Sequence, residues 1–255
     1  MDRRSLVDRI VRARGLAFAA ALAALATPAA AAAATAPADP QPPSARLASV
    51  ATLIDDASVY PTPAAGKALA TARAYTEWTG SRTVLLIAAS KRDSEGRLWL
   101  KLLLPKRPNG SAGWVRATKA RISTTTVRVE VSVRARKLRL RVAGKSVLTT
   151  RVVVGKRATP TPRGNFAIYE RVQSPQGANV GPFALALTAF SDVLQNYDGG
   201  RGQVAIHGRS GSLLADPLGS AASHGCIRLR NSTLKRLAQF TSQGTPVLIA
   251  NGWPR

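Results

Sequence analysis

Val127, Val129, Val131 and Val133 alternate with polar residues. Successive side chains of a strand point to opposite faces, so this period of two marks a strand with one face on a core. Leu138, Leu140 and Val142 continue the alternation after a turn near Arg136-Lys137, and Ala143-Gly144-Lys145 predicts the next turn. Val147 to Val154 reads as another strand, Phe166 to Tyr169 as a further apolar run, and Val204-Ala205-Ile206 as a strand ending at His207. Between them, Thr159-Pro160-Thr161-Pro162-Arg163-Gly164 holds two prolines, which fix φ and remove donors, so an ordered surface loop is expected. One helix is signalled: Asn231 as N-cap, Leu234, Leu237 and Ala238 as the apolar face, Gly244 and Pro246 as the stop. Val247-Leu248-Ile249 closes the pattern. Residues 125–250 therefore predict a mainly β domain with one helix.

Residues 47–120 predict a small all-β unit. Val84 to Ala89 is an apolar run, Leu98-Trp99-Leu100-Lys101-Leu102 reads as a strand, and a turn-rich stretch leads to Gly113-Trp114-Val115. The pattern resembles the bacterial SH3-like domains of cell-wall proteins; the competing reading is a β-rich spacer whose tryptophans are core.

The chain begins with features of a secretory signal over residues 1–36. Arg3, Arg4, Arg9, Arg12 and Arg14 form a positive start, Gly15 to Ala26 is a short apolar stretch, and Ala29 to Ala36 offers small-residue cleavage sites. Residues 37–46 continue a proline-rich tether. Only an uncleaved signal would tie the chain to a membrane. The net charge is +24. Removing residues 1–34 subtracts five Arg and two Asp, leaving 32 basic and 11 acidic side chains, a net of +21. Such charge attracts polyanions. Nucleic acid is the usual first reading, but export favours anionic cell-wall polymers instead.

The chemistry concentrates late in the chain. The single Cys and both His, namely His207, His224 and Cys226, fall within twenty positions. One thiol cannot close an intrachain disulfide, so an exported chain must bury it, pair it with another chain, or use it. A thiol needs a base or a positive neighbour to attack a carbonyl. His207, at a strand end, is a sensible base for Cys226. His224 stands two residues before the thiol and would face the same side in an extended segment. Gly225 lets an acyl group approach the backbone, and amides near Cys226 could donate to an oxyanion. Arg228 could lower the thiol pKa, hold a substrate carboxylate, or brace the loop through a salt bridge. One Cys and two His are too few for a structural zinc site, and no metal or other cofactor is expected.

His207, fifteen intervening residues, then Ser223-His224-Gly225-Cys226-Ile227-Arg228-Leu229 and Asn231, resemble the active-site motif of the L,D-transpeptidase (YkuD-type) family. Gly155-Lys156 with Thr159 to Gly164 resembles the family's second recurrent stretch, as do Gly181-Pro182-Phe183-Ala184-Leu185 and Phe190-Ser191-Asp192. The resemblance spans residues 125–250. It implies a β-rich domain that joins peptidoglycan stem peptides, as donor and acceptor, in 3→3 crosslinks through a Cys thioester with loss of D-alanine. It carries Cys226 over as nucleophile and His207 as general base. His224, Ser223, Gly225 and Gly208 become groups shaping the acyl and oxyanion site, and Arg228 a structural or substrate-contacting residue. Carbapenem acylation of Cys226 follows from the same mechanism. The chain departs from many members at Thr233, where an acidic residue is usual. An L,D-carboxypeptidase, in which water replaces the amine, and a non-catalytic wall-binding protein are the alternatives. A papain-like peptidase is disfavoured because those place Cys before His.

Overall fold

The computed structural model describes residues 38–197 and 199–253. The expected signal segment, residues 1–36, lies outside the described residues. In chain order the strands of the first part are β1 (Ala48–Leu53), β2 (Ala57–Val59), β3 (Ala70–Ala72), β4 (Val84–Arg92), β5 (Leu98–Leu103), β6 (Ala112–Arg116) and β7 (Ala120–Thr125). Five of them form one antiparallel sheet in the order β6-β5-β4-β1-β7, and β2 pairs with β3. Trp99 of β5 is buried among core residues, and its indole N–H donates to Asp93 Oδ2 at 2.8 Å.

The second part continues with β8 (Val127–Ser132), β9 (Lys137–Val142), β10 (Lys145–Arg151), β11 (Val154–Gly155), β12 (Gly164–Gln173), β13 (Phe183–Phe190) and β14 (Gln203–His207). Then come β15 (Ala221–Ser223), β16 (Ile227–Arg228), the helix α1 (Asn231–Phe240) and β17 (Pro246–Ala250). Eight strands make one sheet, ordered β10-β9-β8-β17-β12-β13-β14-β16. The fold is mainly β, and α1 is the one α-helix among the described residues.

The period of two in the sequence becomes register. Val129 faces Leu140 and Val131 faces Leu138 across β8 and β9, and all four are buried in the same core. The intervening Glu130 sits opposite Arg139 on the other face, where Arg139 and Arg141 Nε donate to it at 2.8 and 3.1 Å. Those guanidinium groups satisfy a carboxylate that burial would otherwise penalise. Leu234 and Leu237 of α1 complete the same core.

Three expectations need correction. The strand expected over Val147–Val154 ends at Arg151, because Val153 leaves it to exchange backbone hydrogen bonds with Arg228 at 2.9 and 3.0 Å. The proline-rich stretch is no plain surface loop: Thr159 and Thr161 are buried against the Cys226 turn. Asn231 is the first helical residue rather than the N-cap, which is Arg230 and makes no side-chain cap. The Asn231 side chain instead accepts the Arg209 N–H at 2.9 Å.

Candidate active site

Two elements of the sheet edge meet at the site. β14 delivers His207 at its last position, and β16 runs parallel beside it, pairing Ile206 with Ile227 and His207 with Arg228. The residue before that short strand is Cys226. The register thus brings the thiol segment beside the strand that ends in the imidazole, across nineteen positions of chain.

The turn into Cys226 is fixed by an unbroken set of hydrogen bonds. Ser223 Oγ donates to Cys226 O at 2.6 Å and accepts the Gly225 N–H at 3.1 Å. Thr161 Oγ1 accepts the Gly155 N–H at 2.8 Å and donates to Gly225 O at 2.8 Å. Ser223 O accepts the Lys156 N–H at 2.9 Å and the Thr159 hydroxyl at 3.4 Å. Gly225 has φ +123°, a conformation that a side chain disfavours. Both the amide and the carbonyl of Gly225 are therefore committed within the turn. A Cβ on Gly155 would come within 2.4 Å of Thr159 O and of Thr161 N, so that glycine allows the proline-rich loop to dock.

A cleft of about 290 Å³ opens over this turn, lined by His207, His224, Cys226 and Arg228 together with Val180, Tyr197 and Ala205. Cys226 as a whole residue is partly exposed. Its sulfur nevertheless lies in dry surroundings, and burial pushes the thiol above its ordinary range. The Ala205 backbone and the Arg228 charge oppose that shift. His207 is buried, and its Nδ1–H donates to Gly208 O at 2.8 Å. Burial holds its pKa down to about 4, against the pull of the Gly208 and Val180 carbonyls and with the repulsion of Arg228. At neutral pH the resting pair is therefore a thiol and a neutral imidazole.

The two histidines part company. His224 is not in an extended segment but in a bend at the cleft rim. Its Nε2 lies 3.4 Å from Lys156 Nζ and its Nδ1 lies 3.3 Å from Tyr197 Oη, with the Tyr197 and His224 rings tilted at 33°. Arg228 is buried and pairs with Asp216 Oδ2 at 2.5 Å, while Arg209 donates to the Asp216 carbonyl, so Arg228 braces the loop that follows His207. Gly208 stands outside the cleft lining, where a Cβ would come within 2.0 Å of Asn231 Oδ1. Its place is close packing against Asn231 and Gly181. Of the readings open for Arg228 in the sequence, the structure shows the bracing salt bridge, with Asp216 as the partner. Tyr197 had no signal of its own in the sequence, and Thr161 was marked only as part of the proline-rich stretch.

The sequence profile of the L,D-transpeptidase catalytic domain, YkuD, matches residues 126–249. A protein of Bacillus licheniformis named as an L,D-transpeptidase YkuD is 34% identical over 154 residues, which is 58% of this chain and 84% of that protein. The chain belongs to the YkuD L,D-transpeptidase family. Its counterpart of the same name in Bacillus subtilis is 32% identical over 126 residues, 49% of this chain and 67% of that one. Among solved structures, an Enterococcus faecium L,D-transpeptidase is 23% identical with a TM-score of 0.38, covering 49% of each chain. L,D-transpeptidase 3 of Mycobacterium tuberculosis is 14% identical with a TM-score of 0.41, covering 66% of this chain and 91% of that one. The family's catalytic domain falls on the eight-stranded sheet and includes every residue of the cleft named above.

Proposed function

We propose that the chain is an exported, cysteine-dependent L,D-transpeptidase that forms 3→3 crosslinks in peptidoglycan. The observation that carries this reading is the pairing of a partly exposed Cys226 with a buried, neutral His207 in one cleft. A stem carbonyl seated over the sulfur is attacked as His207 takes the thiol proton. The Gly208 and Val180 carbonyls are in place to accept hydrogen bonds from the imidazolium that forms. The imidazolium then protonates the nitrogen of the departing D-alanine, and a thioester remains on Cys226. The side-chain amine of a diamino acid on a second stem attacks the thioester, losing a proton to His207, and the thiol is restored.

Gly225 N–H is already held by Ser223 Oγ, so the oxyanion donor is better sought in the Cys226 amide itself. His224 and Tyr197 form the rim past which the stems enter. The signal-like start of the sequence supports export to the cell wall or periplasmic space. The five-stranded antiparallel sheet is compatible with an SH3-like unit facing the same wall, and the strong positive charge suits anionic wall polymers.

Incubation with a disaccharide-tetrapeptide tests the reading. The expected product is a crosslinked dimer with the mass of two monomers less one D-alanine, read by mass spectrometry. A tripeptide alone would assign the chain to L,D-carboxypeptidase chemistry, and unchanged substrate would count against catalysis.

A further inference from the structure

The connection between β13 and β14, residues 191–202, supplies Ser191, Leu194, Tyr197 and Gly202 to the cleft. Part of it holds itself. Ser191 N–H donates to Gly202 O at 2.8 Å, and Tyr197 and Gly200 exchange two backbone bonds at 2.9 Å. Ser191 Oγ also accepts the Val193 and Leu194 N–H groups at 3.3 and 2.9 Å. Three of the segment's carbonyls are instead held from the first sheet, by the loop between β5 and β6. Arg107 Nη1 donates to Arg201 O at 2.8 Å, while its Nη2 donates to Ser191 O at 3.2 Å and Leu194 O at 3.0 Å. The same guanidinium lies over the Phe190 ring, 4.8 Å from its centroid. Asn109 acts as a strand would: its Oδ1 accepts the Phe190 N–H at 2.8 Å and its Nδ2 donates to Phe190 O at 2.7 Å. That Nδ2 also reaches Asp192 Oδ1 at 2.8 Å.

A rigid, planar fork with several donors can bridge separate carbonyls as a flexible ammonium cannot. Gly202 lets the segment close on the fork: a Cβ there would come within 2.0 Å of Leu194 O and 3.1 Å of Arg107 Nη2. A third tie, the Glu77–Arg201 ion pair, has both side chains more than half exposed, so it contributes little.

We propose that residues 105–110 are a clamp and that Arg107 and Asn109 are positioning residues for acyl transfer. They touch neither thiol nor imidazole. They set the cleft wall that carries Tyr197, and through its contact with His224 the rim past which the stem is seated. The first sheet thereby has a part in the reaction besides any wall binding. The proposal rests on the acyl-transfer reading of Cys226 for its kinetic consequences, though not for its structural one.

Amide hydrogen exchange on the full chain tests the structural consequence without substrate. Arg107→Ala and Asn109→Ala are each expected to raise exchange across residues 190–203 by about tenfold, with β8 and β9 unchanged. With a tetrapeptide donor, KM is expected to rise about fivefold while kcat stays within about twofold, since the wall seats substrate and takes no part in the bond changes. Arg107→Lys should resemble Arg107→Ala, because charge without the fork cannot serve three carbonyls. Full rescue by Arg107→Lys would overturn the fork as the cause. Unchanged exchange over 190–203 in both alanine variants would overturn the clamp. If Arg107→Ala opens the whole chain, Asn109→Ala, which keeps the guanidinium, decides the matter. A wild-type protein that gains no acyl group would count against the proposed function and leave the exchange result standing.

Discussion

The turn that carries Cys226 and the segment that brings Tyr197 to the same cleft are held in different ways. The turn is tied within the catalytic sheet, through Ser223, Thr159, Thr161 and the backbone of Lys156. The Tyr197 segment takes much of its support from Arg107 and Asn109, more than eighty positions earlier. The contrast has a physical logic. A nucleophile must be placed to within a fraction of an ångström, so short bonds between neighbouring loops fix it. On the proposed reaction, a wall that must admit two different stems is served by a support that can be set separately.

This contrast orders the expected effects. The largest belongs to the thiol side. His207→Ala is expected to lower the rate of Cys226 acylation by about a thousandfold, measured with a tetrapeptide donor or a carbapenem. The pH dependence should carry its signature. His207 is held down to about 4, so it stays unprotonated, and able to accept the thiol proton, well below the ordinary imidazole range. The wild-type acid limb should fall near that pH rather than near 6.5, and a limb at the ordinary imidazole value would contradict the lowering of the His207 pKa by burial.

A smaller effect is expected behind the nucleophile. Thr161→Val keeps the shape but leaves the Gly155 N–H and Gly225 O without their shared hydroxyl. It should cost about 3 kcal/mol of stability by thermal unfolding and about tenfold in acylation rate. A variant as stable and as fast as wild type would show that the turn is set by other contacts. The smallest expected effect is the several-fold KM change on clamp removal. If clamp removal instead slowed acylation as much as His207→Ala, the two sides of the cleft would not differ as described.

Much of the thiol side was legible in the sequence. The motif around Cys226 is contiguous, and the alternation of β8 and β9 survives because each has one face on the core. β13 escaped notice as a strand since nearly all of Phe183 to Phe190 is buried and no alternation remains. β15 and β16 are two or three residues long and exist through pairing with β11 and β14. Asn231 looked like a cap because Asn at a helix start usually caps; the close approach of Gly208 drew its side chain elsewhere. The support of the Tyr197 segment left no local trace, because Arg107 and Asn109 act on carbonyls brought near only by the folded chain.

The central claim is that Cys226 is the nucleophile, and intact-mass analysis with a carbapenem tests it most directly. The wild-type chain is expected to gain one drug mass, mapped to the peptide containing Cys226, and Cys226→Ala to gain none. An unmodified wild type, or an equal adduct on Cys226→Ala, would contradict the account.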